Sequence, residues 1–277
     1  MRDLRLNQKN KYRAQWEYAK GHPTVQSTPP ILQIARSNTC NFHCVYCPDH
    51  RDGNTVPRFK NEGETWRQLL ELIPRSDTLS FHGVSEFMLD PGFFDIVARC
   101  RDAHATLLIN TNGSVCGPRH LDVLATYPGT LVMNFSLDAA TPETFLRVRG
   151  WRFDRVLQNI RRYVERFESR QHRTWLSASL VITRTSLDEV TDFVRLAHEL
   201  KLHHVRLCRL LEYDGLDWDI PTKAGDRFDY RDEYAQLHGD AFNRKLEEAR
   251  QLAEQYQIYI EVPASGPESP NTDGAGT

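Results

Sequence analysis

Between residues 30 and 210, short apolar runs alternate with amphipathic stretches, and the spacing of apolar positions switches between a period of two and a helical one. The first pattern predicts strands at Ile31–Arg36, Thr78–His82, Thr106–Thr111, Leu131–Asp138, Trp175–Thr183 and His204–Arg209. The second predicts helices over Thr65–Ile73, Pro91–Ala103, Arg119–Thr126, Phe153–Ser169 and Leu187–Lys201. Strand–helix alternation of this kind predicts parallel strands joined by right-handed crossovers.

Side chains of a strand alternate between its faces, so each strand can be sorted by parity. One set reads Gln33, Ala35, Ser80, His82, Asn110, Asn134, Ser136, Asp138, Ser177, Ser179, Arg206 and Cys208, which are polar or small. The other reads Ile34, Leu79, Phe81, Leu107, Ile109, Met133, Phe135, Leu137, Ala178, Leu180, Ile182, Val205 and Leu207, which are apolar. A flat doubly wound sheet is apolar on both faces because helices cover both. A polar face in all six strands instead predicts a curved sheet around a ligand-holding interior, an open barrel of six βα units. The alternative is a flat sheet with one face in water.

The 277 residues are 40% hydrophobic and 26% charged, enough for one large core. A net charge of −2 gives no overall attraction to nucleic acid or anionic membrane. The basic first twenty residues lack the apolar run of a signal peptide, and no stretch is long enough to span a bilayer. A cytoplasmic protein is expected, in which clustered cysteines are metal ligands or catalytic groups rather than disulfides.

Three of the six cysteines lie within "CNFHCVYC", at Cys40, Cys44 and Cys47, directly after the first strand. In parallel α/β barrels, chemistry gathers in the loops that follow the strands. A structural zinc site takes four ligands, and His43 or His50 are the nearby fourth candidates. Three thiolates also suit a [4Fe–4S] cluster with one iron left for another ligand.

The spacing C-x3-C-x2-C, with aromatic Tyr46 before the last cysteine, resembles the motif of the radical S-adenosylmethionine (SAM) superfamily. The resemblance extends over about Ile31–Leu210. "FHGVSEFMLDP" is similar to the family's glycine-rich G-x-G-E-P-L stretch, with Gly83 and Glu86 in place, Ser85 for a glycine and Phe87 for the proline. "NTNG" at 110–113 resembles its T-N-G turn. "FSLDAATPETFLRVRG" resembles the subgroup that carries SPASM or twitch auxiliary-cluster domains. No cysteine follows Cys208, so a single cluster is expected, that domain being lost or outside this chain.

The resemblance implies an α/β fold, a partial (β/α)6 barrel of the radical SAM type with short N- and C-terminal extensions. Its boundaries are expected at 1–29 for the N-terminal extension and 30–210 for the barrel. Residues 211–263 would form a C-terminal extension with a lid loop, helix and strand, and 264–277 a disordered tail. It implies a [4Fe–4S] cluster on Cys40, Cys44 and Cys47, with SAM chelating the fourth iron. Tyr46 would lie beside adenine, its backbone making the polar contact. Gly83, Ser85, Glu86 and Asn112 would serve the SAM subsite, Glu86 by accepting from the ammonium group. Ser136 and Asp138 would meet the ribose hydroxyls, the alternative for Asp138 being a cap on the next helix. Arg149 would fork the SAM carboxylate, the alternative being a surface arginine.

By parity, His82, Asn110, Asn134, Ser179 and Arg206 are candidates for the substrate pocket. Cys208 is a candidate hydrogen donor to a substrate radical, against the alternative of a structural cysteine. Cys100 and Cys116 are expected to be structural, and Arg161, Arg162 and Arg166 solvated. The acidic, aromatic stretch Glu212–Tyr234 is a candidate lid, and Phe242–Gln255 an outer helix. The implied activity is reductive cleavage of SAM to a 5′-deoxyadenosyl radical that abstracts hydrogen from a small biosynthetic substrate of sugar, nucleoside or amino-acid type. A one-electron donor such as a flavodoxin or ferredoxin is the implied partner. The alternatives are a maturase of a ribosomally made peptide, for which the first thirty residues are short of a leader-binding domain, and a non-catalytic zinc- or iron-binding regulatory module.

Overall fold

The structure is a computed structural model. It describes residues 5–48, 59–81, 83, 85–211, 219–235 and 239–263, without the side chains of 170–172 and 235. The candidates His82 and His50, residues 212–218 of the candidate lid and the tail 264–277 lie outside the described residues.

The chain packs as two compact units. The first comprises residues 1–43, 47–136 and 155–176, and the second 44–46, 137–154 and 177–277.

In the first unit the strands are β1 (Ile31–Gln33), β2 (Thr78–Phe81), β3 (Thr106–Thr111) and β4 (Leu131–Ser136), in that order and with parallel neighbours. Helices α2 (Gly63–Leu72), α3 (Phe93–Ala103) and α4 (Pro118–Ala125) connect them, and α6 (Phe153–Phe167) leads into β5. The apolar parity set forms the core: Leu79, Phe81, Leu107, Ile109, Met133 and Phe135 are all buried. Much of the opposite set is interior too, with Ser80 and Asn134 buried and Ala35, Asn110 and Ser136 half-buried, while Gln33 is exposed. Asn110 sits beside Asn134 in the β3–β4 register.

The second unit carries β5 (Thr174–Ile182, whose first three residues belong to the first unit), β6 (His204–Arg209) and β9 (Tyr259–Glu261), again parallel. Its helices are α5 (Pro142–Arg149), α7 (Val190–Glu199), α8 (Tyr230–Ala235) and α9 (Asp240–Gln255), with a hairpin of β7 (Asp219–Pro221) and β8 (Arg227–Asp229). Val205, Leu207, Ala178, Leu180 and Ile182 fill its core.

The expected elements all occur, two strands with the expected bounds and the others with ends shifted by a few residues in either direction. The fourth strand stops at Ser136 rather than Asp138, because Asp138 turns the backbone to φ 61°. The helix expected over Leu187–Lys201 begins as a 3₁₀ turn and becomes α-helical only at Val190. Three helices were not expected. One is α5, whose eight residues are too short for a clear period. Another is α8, six residues at the end of the stretch read as a candidate lid. The third is α1 (Leu6–Ala19), in which the usual polarity is inverted.

Helix α1 buries Asn7, Asn10 and Glu17, while Leu6, Tyr12, Trp16 and Tyr18 are exposed. Hydrogen bonds rather than apolar burial attach it to the first unit. Asn7 donates to the Ala103 carbonyl (3.2 Å). Asn10 donates to the carbonyls of Thr28 (2.9 Å) and Arg75 (3.0 Å) and accepts from Thr28 N–H (2.9 Å). Glu17 accepts from the Ser27 hydroxyl (2.6 Å) and from the amides of Gln26 (3.0 Å) and Ser27 (3.1 Å). The Ser27 hydroxyl and these amides, helped by Arg13, hold the Glu17 carboxyl below its ordinary value against the opposing effect of burial.

Gly113, in the turn after β3, has φ 74°, and a Cβ there would lie 2.8 Å from Cγ1 of Val156 on α6. Backbone conformation and close packing both require glycine. Gly83 has φ 136°, but an added Cβ meets nothing within 4 Å.

Two outcomes are expected. Gly113→Ala lowers stability by roughly 1–3 kcal/mol in urea unfolding, and Gly83→Ala by less, because only the first also overpacks a buried valine. Glu17→Gln lowers the melting temperature at neutral pH. Because the folded carboxyl is depressed, its contribution is present above the unfolded value and is lost as pH falls through the folded one. The gap between wild type and Glu17→Gln should therefore close just below the ordinary carboxylate range. A gap that persists there would exclude the ionised form as its source.

Candidate functional site

In the first unit, three successive loops at the C-terminal ends of β1, β2 and β3 are tied together by one residue, Glu86. Glu86 is 2% exposed. It accepts from the Thr111 hydroxyl (3.0 Å to each oxygen), the Asn112 amide (2.7 Å) and the Met88 amide (3.2 Å), and its own amide donates to the Thr39 carbonyl (3.0 Å). These donors come from the protein itself, and through them Glu86 organises the loops.

Asn112 extends the arrangement toward the cysteines. Its side-chain amide donates to Asn41 Oδ1 (2.9 Å) and to Cys40 Sγ (3.7 Å), and Asn41 donates to the Ser114 hydroxyl (3.0 Å). An N–H directed at sulfur favours the anionic thiolate, the form that binds metal. Cys40 and Cys47 are half-buried, and His43 is exposed. Gly83 is exposed and Ser85 half-buried.

Phe87, which stands where the family pattern has proline, stacks on Phe81 (centroids 4.0 Å apart, 7° between planes) and meets Phe93 edge-on at 5.4 Å. The substitution thus replaces a rigid turn by aromatic packing that fixes the same loop.

In the second unit the centre is Asp138, 2% exposed. One carboxylate oxygen accepts from the Val181 amide (2.8 Å). The other accepts from the Tyr46 hydroxyl (2.6 Å) and from Nη1 of Arg149 (2.9 Å). The amides of Leu137 and Asp138 donate to the Ser179 carbonyl (3.1 and 3.0 Å), which fixes the turn out of β4. Asp138 does not cap the next helix; Thr141 does, accepting from the Thr144 amide (3.3 Å).

Arg149 is buried rather than a surface arginine. Burial opposes its charge, but Cys44, Asp138 and Tyr46 outweigh burial and raise its pKa further. The reciprocal effect is a cation beside the buried Cys44 sulfur, again favouring thiolate. The Tyr46 hydroxyl is a donor held protonated by burial and by Asp138.

Helix α5, which carries Arg149, is held at its other end by Glu189, which accepts from the amides of Ala140 (2.7 Å) and Thr141 (3.2 Å) and the hydroxyls of Thr141 (2.6 Å) and Thr144 (2.5 Å). A carboxylate there also complements the helix dipole. Cys208 is half-buried on β6, and burial, then nearby Asp138 and Glu261, push its thiol up despite Arg206. Ser179 is buried, and Arg206 pairs with Glu261 (2.8 Å).

Cys100 and Cys116 are buried, and none of the six cysteines is in a disulfide. Arg161, Arg162 and Arg166 are exposed, Arg166 pairing with Asp122 (3.1 Å). Among the described residues, no three His, Cys, Asp or Glu side chains converge as a metal site, so what fits the triplet to a cluster is donor chemistry. Thiols outside any disulfide, one facing an amide N–H and one within the electrostatic reach of a guanidinium, are suited to binding iron as thiolates. Sequence reasoning missed Thr111, Asn41, Ser114 and Glu189. Only Thr111 carried a signal, as part of "NTNG".

Solved structures extend the picture. SuiB of Streptococcus suis bound to S-adenosylmethionine is similar at a TM-score of 0.63 and 17% identity, over 93% of this chain and 55% of that one. A structure of anSMEcpe with bound AdoMet gives 0.61 at 16% identity, covering 84% and 64%. TYW1 with a lysine–pyruvate adduct gives 0.52 at 16% identity, covering 81% and 73%. The chain thus spans little more than half the length of SuiB. At these identities the likeness is one of fold, the open α/β partial barrel. The model of the Radical SAM superfamily matches residues 34–197, more than half of the sequence. On that match, and with the cysteine motif inside it, this chain belongs to the radical SAM superfamily, whose enzymes use a [4Fe–4S] cluster and S-adenosylmethionine.

Proposed function

We propose that this chain is an enzyme that abstracts hydrogen from a small biosynthetic substrate of sugar, nucleoside or amino-acid type. The cluster and SAM, when bound, supply reductive cleavage to methionine and a 5′-deoxyadenosyl radical. Cys40, Cys44 and Cys47 would hold the cluster. The observation that carries this reading is the electrostatic preparation of two of those sulfurs, Cys40 by the Asn112 amide and Cys44 by Arg149.

Glu86 fixes the loops after β1–β3, so that Gly83, Ser85 and Asn112 serve as the SAM subsite in one rigid frame. Because the oxygens of Asp138 bind Tyr46, Arg149 and Val181, its part is to position Tyr46 and Arg149, and Ser136 remains for ribose. Arg149 would bring its charge to the SAM carboxylate while its Nη1 is held by Asp138. Asn110, Asn134, Ser179 and Arg206 are candidates for the substrate wall. Cys208, kept as S–H by burial, is in the form that can donate a hydrogen atom.

A second reading is a peptide maturase. The likeness to SuiB, one structure of which holds the precursor peptide SuiA, and to anSMEcpe, one structure of which holds AdoMet and the Kp18Cys peptide, favours it.

The test is anaerobic reconstitution with iron and sulfide, then dithionite and SAM, with release of 5′-deoxyadenosine measured and deuterium followed from labelled metabolites and peptides. Cys44→Ala should lose the iron–sulfur absorbance and all SAM cleavage. Full cleavage without that thiol would refute the ligand assignment. Tetrahedral zinc on the wild-type sulfurs, with no SAM cleaved, would establish the non-catalytic alternative.

A further inference from the structure

The hairpin β7–β8 and helix α8, residues 219–235, follow the strands that carry the candidate site, and a single carboxylate fastens them. Glu233, on α8, is completely buried. Its side chain accepts from Thr185 Oγ1 (2.7 Å), the Thr185 amide (2.8 Å) and Nη1 of Arg147 (2.8 Å), and its carbonyl accepts from the Arg184 amide (3.0 Å). Arg147, in the last turn of α5, also donates through Nε to Asp226 (2.7 Å), through Nη2 to the Arg227 carbonyl (3.0 Å), and to the Thr185 hydroxyl. One guanidinium therefore binds α8, the hairpin and the turn after β5 together. A six-residue helix such as α8 is too short to hold its own shape, so these bonds define where it lies.

The grip presents one side chain toward the candidate site. Phe228, the middle residue of β8, is fully buried, with its ring 5.7 Å from the Arg147 guanidinium carbon and 6.3 Å from the ring of Tyr46, at 58°. Tyr46 is thus fixed at two points, its hydroxyl by Asp138 and its ring by Phe228. In sequence it lies between Cys44 and Cys47 and next to the latter. Replacing a buried ion pair by apolar side chains of similar volume is often neutral for stability; what the pair adds is direction.

We propose that Glu233 and Arg147 are positioning residues for the SAM subsite, acting through Phe228 on Tyr46. The proposal rests on the assignment of Tyr46 to that subsite.

The test uses reconstituted holoenzyme of wild type, Glu233→Gln, Arg147→Lys and Phe228→Leu, each below its own melting transition. Iron and sulfide per chain and the dissociation constant for SAM, by anaerobic equilibrium dialysis, are measured on each. Iron and sulfide should stay at the wild-type level while SAM affinity falls about tenfold in Glu233→Gln and Phe228→Leu, and by less in Arg147→Lys, which keeps the charge but loses the fork. Phe228→Leu keeps the Glu233 bonds and a full core, so it decides the matter even where Glu233→Gln fails to fold. An unchanged SAM affinity in Phe228→Leu would overturn the proposal, as would loss of iron in step with affinity, which is the mark of a purely structural network. A wild-type chain that carries the cluster yet binds no SAM would instead overturn the subsite itself.

Discussion

The buried carboxylate of Asp138 is the constraint around which the second unit is built. Removing a carboxylate from water costs several kcal/mol, and the charge is tolerated only where donors replace the solvent. Here the donors are a phenol, a guanidinium and a backbone amide, from residues 46, 149 and 181. Three distant parts of the sequence must converge for any of them to be satisfied. The residue also turns the chain out of β4 at φ 61°, a conformation that disfavours most side chains and that Asp tolerates. Direction of chain and placement of charge are therefore set by the same residue.

The first unit uses the same device with Glu86. In both units an acid just past a strand accepts a backbone amide from another strand's end and side-chain donors besides. Amides cannot rotate away, so a carboxylate bound to them is held in place without relying on apolar packing. Helix α5 shows the same principle at both ends, with Glu189 at its N-terminus and Asp138 and Glu233 at the arginines of its last turn. Rigid placement of side chains in a polar interior is what radical chemistry requires, since a misdirected hydrogen abstraction is irreversible.

Most of the fold was legible because parallel strands and their helices obey the two periods closely. Parity placed Leu79, Ile109, Phe135 and Leu180 in the core and kept Asn134 and Ser179 interior. The superfamily was legible from the spacing of the cysteine triplet, because the residues of that motif are close in sequence. The roles of Glu86, Asp138 and Arg149 were only half legible. The motifs marked the residues, but hydrogen bonds across 25, 43 and 92 positions of sequence decide what they touch, and no local pattern encodes such bonds. Glu233 and Arg147 gave no signal for the same reason. Helix α1 was missed because a period search looks for apolar residues on the inner face, and there the inner face is amide and carboxylate.

That inversion has a thermodynamic consequence. A helix attached through apolar area loses its hold as that area is wetted, with a large heat-capacity increment and a steep response to urea. Helix α1 has little such area to expose, since its aromatic residues are already largely in water. Its detachment would expose mainly polar surface, with a smaller heat-capacity increment than the loss of an apolar contact of the same size. The N-terminal helix can thus come and go as a separate event, on a scale of its own, while the sheet beside it remains intact.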